Sequence, residues 1–195
     1  MRRHTPHIIL ASSSPRRREL LVEAGYSFEV VPPADDAESE VDHAESPREM
    51  VARLARQKAT DVAARVVRGL VLGCDTVAEC DDQILGKPRD VDHARQMLQL
   101  LRGREHRAYS GLCLWPRPGQ RHAVRVAVTV LRMTRIPDSQ LNQYLQTGQW
   151  RGKAGAFGYQ DGHDWLHIVS GSESNVVGLP MELLAEMIEQ FQAGP

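Results

Sequence analysis

Lysine is scarce in this chain. Of 24 basic side chains among 195 residues, 21 are Arg, and only Lys58, Lys87 and Lys153 are Lys. GC-rich coding accounts for such scarcity on a solvated surface. It does not choose which lysines remain, and an ammonium is a compact point charge where a guanidinium is a wide planar fork. The three positions are therefore read as places where Arg does not serve. Other deficits exclude whole classes. The formal net charge is −1, so the basic excess of a general nucleic-acid binder is missing. No apolar run approaches the roughly 18 residues of a membrane span. The basic start, Met1 to Pro6, leads only into Ile8-Ile9-Leu10-Ala11, too short for the apolar part of a secretory signal. Cys74, Cys80 and Cys113 are odd in number and lack paired spacing, a poor fit to a disulfide framework or a four-ligand zinc site. A reducing cytoplasm is the expected compartment. Eight histidines show no ligand spacing, the close pair His163 and His167 fitting alternate strand positions instead. A Walker-type Gly-Lys-Ser/Thr and a Gly-x-Ser-x-Gly elbow are both missing, which argues against a P-loop NTPase and a serine hydrolase.

What is present is globular: 42% hydrophobic and 25% charged residues, with a length that suits one domain. A single domain over 1–195 is expected, with 1–6 as an N-terminal extension. His7 to Ala11 reads as a buried strand, and Ser14-Pro15 opens a helix with Ser14 as cap and Pro at the first position. Phe28 to Val31 is a second strand, broken by Pro32-Pro33. Asp35 to Glu49 holds seven acids against one Arg, mostly a solvated loop. Ser46 and Glu49 form a capping box for a helix reaching about Val67. Leu70 to Ala78 is a near-continuous apolar run, hence a central strand. A helix spans Asp90 to Leu101. Ala108 to Trp115 and Ala123 to Arg132 form a hairpin, the second strand alternating Val124, Val126, Val128 and Val130 on one face. Pro137 opens another helix, Gly148 to Gly162 is loop, Trp165 to Val169 is a strand, and Leu179 to Phe191 is the closing helix. Alternating strands and helices with a hairpin predict a mixed α/β sheet.

Four places break the packing logic. Ser12-Ser13-Ser14-Pro15-Arg16-Arg17 joins a strand to a helix N-terminus, a ready anion site with two arginines beside it; a capped surface helix is the plainer reading. Asp75 interrupts an apolar strand, and an unpaired buried carboxylate is costly. It must bind a metal, pair with a cation or face a cleft at the strand's carboxyl end. Gly86-Lys87-Pro88 holds a lysine in a turn, a point charge suited to a triphosphate. Gly152 to Gln160 carries three glycines that allow close backbone approach to a ligand, and Gln160 can read a base edge with its amide.

In combination, Leu10-Ala11-Ser12-Ser13-Ser14-Pro15-Arg16-Arg17, Gly73-Cys74-Asp75-Thr76-Val77, Gly86-Lys87-Pro88, Lys153 to Gln160 and Asn175-Val176-Val177-Gly178-Leu179-Pro180 resemble, in order, the motifs of the Maf family of nucleoside triphosphate pyrophosphatases, the septum formation inhibitor proteins. The likeness covers about Ile8 to Leu184. It implies an α/β fold of a mixed twisted sheet flanked by helices, in two lobes around a central cleft, similar to inosine triphosphate pyrophosphatases. It implies hydrolysis of a nucleoside triphosphate to monophosphate and pyrophosphate with a divalent cation, Mg²⁺ or Mn²⁺. Asp75 matches the proton acceptor and, with Lys87, the catalytic pair. Ser12, Ser14, Arg16, Arg17, Lys58 and Lys87 match the substrate-gripping set, with Lys58 on a helix facing the cleft. Glu38 matches a metal-associated glutamate if one residue is inserted after Phe28, with Asp36 the nearby competitor, and Asp75 is the second metal-associated acid. Arg16, Thr76 and Gln160 match the specificity positions of the branch acting on dTTP and UTP, with modified pyrimidine nucleotides as further substrates. A homodimer is implied, with neither membrane nor nucleic acid as partner. The alternatives are an inosine, xanthosine or 7-methyl-GTP pyrophosphatase, and a non-enzymatic regulator of septum formation acting by binding.

Overall fold

The computed structural model describes residues 6–38, 45–161 and 164–193. Met1 to Thr5 of the expected extension, Glu40 and Asp42 of the acidic loop, and His163 lie outside the described residues. The elements run β1 (Ile8–Ala11), α1 (Pro15–Glu23), β2 (Phe28–Val30), α2 (Pro47–Arg65), β3 (Gly69–Cys80), β4 (Gln83–Leu85), α3 (Val91–Leu101), β5 (Glu105–Arg117), β6 (Ala123–Met133), α4 (Asp138–Thr147), β7 (Leu166–Ser170), α5 (Glu173–Val177) and α6 (Met181–Ala193). One mixed sheet holds all the strands in the order β2-β1-β3-β5-β6-β7, with β4 beside β3 off this path. β1 is parallel to β2 and β3, and the remaining pairs are antiparallel.

The apolar run of β1 is continuous because both faces are covered. Ile8 and Leu10 pack with Leu21 of α1 and Leu184 of α6, while Ile9 and Ala11 face Ala55, Ala59 and Val62 of α2. β3 obeys the same alternation: Leu70, Leu72 and Cys74 lie on the α1/α6 side, and Val71 and Val77 on the α2 side. Asp75 therefore shares the α2 face.

Two glycines set how closely α2 approaches. A Cβ on Gly73 would lie 2.2 Å from the Ala55 carbonyl oxygen, and one on Gly111 would lie 2.2 Å from that of Val51. Gly111 pairs across the sheet with Asp75. The helix backbone thus rests on the sheet beside Asp75.

β1 stops at Ala11, opposite Gly73, while β3 continues to Cys80. Beyond that point β3 is flanked by β4 on one side and β5 on the other. A second core forms there from α3, α4, Met133 of β6, Leu166 of β7 and Phe157. The cleft between the two lobes opens where β1 ends, as expected for the carboxyl end of a parallel strand.

Two short elements were not expected from the sequence. β4 exists because Asp81 and Asp82, at φ 50° and 61°, close a two-residue hairpin turn after β3. The five-residue α5 starts at Ser172, whose hydroxyl accepts from the Asn175 N–H. The capping box at Ser46 and Glu49 is formed. Ser14 sits at the N-cap of α1 but makes no side-chain cap; instead its own N–H donates to the Ser12 hydroxyl at 3.2 Å.

Candidate active site

The cleft encloses about 320 Å³. Its walls contain every residue singled out for chemistry: Ser12, Ser14, Arg16, Arg17, Glu38, Lys58, Asp75, Thr76, Lys87 and Gln160. Lys153 is also there, so all three lysines of the chain meet in one cavity. Asp36, the competitor of Glu38, is not among the lining residues.

At the cleft floor, Lys58 reaches from α2 to Asp75 on β3. Its Nζ lies 2.6 Å from Asp75 Oδ1 and 3.2 Å from Glu38 Oε1. Lys58 is buried at 8% exposure. Asp75 thus resolves the choice posed by its sequence by pairing with a cation in mid-strand rather than at a strand end. The pairing fixes Oδ1 of the carboxylate.

The Ser12–Arg17 turn forms the adjoining wall. The Ser12 hydroxyl accepts from the Ser14 N–H and from Arg17 Nη1 at 3.0 Å. Arg17 does more for the protein than its sequence position suggested. Its Nε donates to the Gly178 carbonyl at 2.9 Å, Nη1 also to the Cys74 carbonyl at 2.9 Å, and Nη2 to Thr76 Oγ1 at 3.4 Å. The guanidinium fork ties α1, β3 and the α5–α6 junction together, so most of its N–H groups are used within the protein. Arg16 leans across the cleft, its Nη2 donating to the Gly152 carbonyl at 3.1 Å.

The opposite wall is the loop after α4. Gly155, at φ 68°, donates its N–H to the Gly86 carbonyl at 3.1 Å. This bond fastens the Lys87 segment to the Lys153 loop, so two cations from distant sequence share a wall. Ala156 follows at φ 62°, a conformation unusual for a residue with a Cβ. Its carbonyl accepts from the Tyr144 hydroxyl at 3.2 Å, and Phe157 stacks on Trp165 with centroids 5.4 Å apart. The loop is held by packing, and Gln160 projects from it at the rim.

Sequence reasoning missed several residues. The Gly178 carbonyl is a hub, accepting from Arg17, from Cys74 Sγ at 3.2 Å and from Thr76 Oγ1 at 3.3 Å. Ser110 positions Thr76 through a 2.8 Å bond between hydroxyls. Asn175 is fully buried and donates to the Ala108 carbonyl and Thr129 Oγ1. Only the Asn175 to Pro180 motif hinted at any of these. The three cysteines are buried thiols; burial raises the Cys74 thiol above its ordinary value and pushes Cys113 up to about 12, so neither is a nucleophile. No group of three or more metal-ligating side chains occurs among the described residues, and no described helix is long and apolar enough to cross a membrane.

The model of the family described as Maf-like protein matches residues 7–191. The chain belongs to this family. This Maf-like chain is 55% identical over 186 residues to a dTTP/UTP pyrophosphatase of Rhodopirellula baltica, covering 95% of this chain and 82% of that one. It is 41% identical over 185 residues to a dTTP/UTP pyrophosphatase of Symbiobacterium thermophilum, covering 94% and 93%. Among solved structures, a HAM1 protein from Coxiella burnetii is similar with a TM-score of 0.49 and 14% identity, over 96% of this chain and 99% of that chain.

Proposed function

We propose that this Maf-like protein hydrolyses dTTP and UTP to the nucleoside monophosphate and pyrophosphate. The observation that carries this reading is the convergence of Lys87, Lys153, Arg16 and the Ser12–Pro15 turn on one cleft whose floor is the Lys58–Asp75 pair. Cations and helix N–H groups match a polyphosphate, and the paired carboxylate can supply the base that an attacking water needs. The relatives named as dTTP/UTP pyrophosphatases support the same substrate class.

In this mechanism Asp75 accepts a proton from water as the water oxygen bonds to the α-phosphorus. The bond from the α-phosphorus to the bridging oxygen breaks, and pyrophosphate leaves with the electron pair. Lys87 and the N–H groups at the start of α1 stabilise the charge that builds on the phosphate oxygens. Arg17 holds the Ser12 turn and Thr76 in register. Arg16, Thr76 and Gln160 line the part of the cleft that takes the base.

The donor set also fits a divalent cation. Glu38 and Asp75 already share one positive charge, the Lys58 ammonium, between their oxygens. Two carboxylates completed by substrate phosphates and water are what Mg²⁺ ordinarily takes. Bound there, the ion would neutralise phosphate charge.

Pyrophosphate release from a panel of dTTP, UTP, ITP, XTP and 7-methyl-GTP tests the reading. Turnover is expected for the first two. Asp75→Asn should lower kcat by about 10²–10⁴-fold, the worth of a general base, with a retained folding transition. Near-native dTTP turnover by that variant, or no turnover of any nucleotide by the native chain, would refute the assignment. A homodimer belongs to the same proposal and is read from the mass in solution.

A further inference from the structure

A second, smaller cavity of about 40 Å³ lies beside the cleft. Thr76, Ala154, Phe157 and Val176 line both spaces, so the cleft is its mouth. Its room comes from small residues: Ala78 and Ala108 face each other across β3 and β5, and a Cβ on Gly155 would meet Ala78 at 3.4 Å. The lining is apolar except at two points, Thr76 at the mouth and His106 deeper in.

His106 is the anomaly. It is 5% exposed, and its Nδ1 has no hydrogen-bond partner among the described residues. A buried polar atom left unpaired costs about 1–3 kcal/mol. The mechanism above does not use it. Burial lowers its pKa to about 4 against the opposing influence of the Arg104 backbone and Glu79, so the ring is neutral near pH 7 and can serve one donor and one acceptor. A site of this size holds about two or three non-hydrogen groups. A second ring does not fit, but a short ring substituent does.

We propose that this slot receives the C5 substituent of the pyrimidine base and that His106 makes it a site for a substituent ending in a polar group, of which hydroxymethyl is the smallest. The inference rests on the proposed pyrimidine triphosphate activity and deepens it. Thr76, Phe157 and Val176 belong to both spaces, while the Ser12–Arg17 turn, Glu38, Lys58 and Asp75 line the cleft alone. The base therefore sits against Phe157 and Val176 with its substituted edge over the mouth. A methyl fills the apolar entrance. A hydroxymethyl adds one oxygen, which pairs with the imidazole.

The test compares kcat/KM for dUTP, dTTP and 5-hydroxymethyl-dUTP. The native chain should turn over 5-hydroxymethyl-dUTP at least as well as dTTP, and dTTP better than dUTP. His106→Leu should lower the ratio of 5-hydroxymethyl-dUTP to dTTP about tenfold, and His106→Gln should restore part of it. Ala108→Val, which fills the slot from the other strand, should lower dTTP relative to dUTP. A native ratio of 5-hydroxymethyl-dUTP to dTTP below one-tenth, or ratios unchanged in the folded variants, would overturn the slot while leaving the pyrophosphatase reading intact. Absence of turnover with all three nucleotides would instead overturn the parent reading, and the slot with it.

Discussion

Two basic side chains show why residue type matters more than charge here. Arg17 is used as a fork: four hydrogen bonds from its three nitrogens reach two carbonyls and two hydroxyls on three separate parts of the fold. An ammonium has no such spread of planar donors. Lys58 is used as a point, placed between two carboxylate oxygens at 2.6 Å and 3.2 Å. Lys87 belongs to the second kind: the turn expected at Gly86-Lys87-Pro88 is an irregular segment after β4, fastened by the bond from the Gly155 N–H to the Gly86 carbonyl. Lys87→Arg keeps the charge but widens the head group on a fastened segment. It is expected to lower kcat/KM for dTTP by about 10–10²-fold, the scale of a misplaced transition-state contact. Steady-state kinetics beside a thermal melt check this; unchanged kinetics would mean that only charge is needed at this position.

At the scale of elements, the site depends on how α2 meets the sheet. The helix lies flat on β3 and β5 because Gly73 and Gly111 leave room for its carbonyl groups. That contact sets the reach of Lys58 to Asp75. Gly111→Ala would force the Val51 carbonyl away from a position 2.2 Å from the new methyl. Overpacking of this kind costs typically about 1–3 kcal/mol. Displacing the helix also draws Lys58 from Asp75. The expected outcome is a melting temperature lower by several degrees and a drop in kcat larger than in KM, although Gly111 itself touches no substrate. Full activity at a lowered melting temperature would separate the packing from the chemistry.

For the molecule as a whole, acid stability should carry the mark of His106. Folding buries its ring near Glu79 and the Arg104 backbone and lowers its pKa from 6.5 to about 4. Between those values the unfolded chain binds a proton at this site and the folded chain does not. Stability therefore falls as pH drops through that window and levels off below about 4, where both states are protonated. At 1.36 kcal/mol per unit the loss is about 3 kcal/mol over the window. Urea unfolding at pH 7, 5.5 and 4.5 should give a steeper decline for the native chain than for His106→Leu. Parallel declines would assign the acid sensitivity to other groups.

Much of this was legible along the chain because it is local. Period-two alternation placed Val124 to Val130 on one face, Ser46 with Glu49 marked a helix start, and an acid inside an apolar run demanded a partner. The shortage of lysine pointed to Lys58, Lys87 and Lys153, and all three reach the cleft. The short elements were not legible, since β4 is defined by its pairing and α5 by a single cap. Nor was the division of labour between neighbouring arginines: both line the cleft, but Arg16 bonds across it to the Gly152 carbonyl while Arg17 bonds to Ser12, Cys74, Thr76 and Gly178. The slot at His106 is built from six strands and helices and the loop after α4, so no stretch of sequence contains its pattern. Sequence alone decides which way a side chain points on its own element. Which groups then meet depends on strand register and on how closely a helix is allowed to approach, and only the assembled fold sets those.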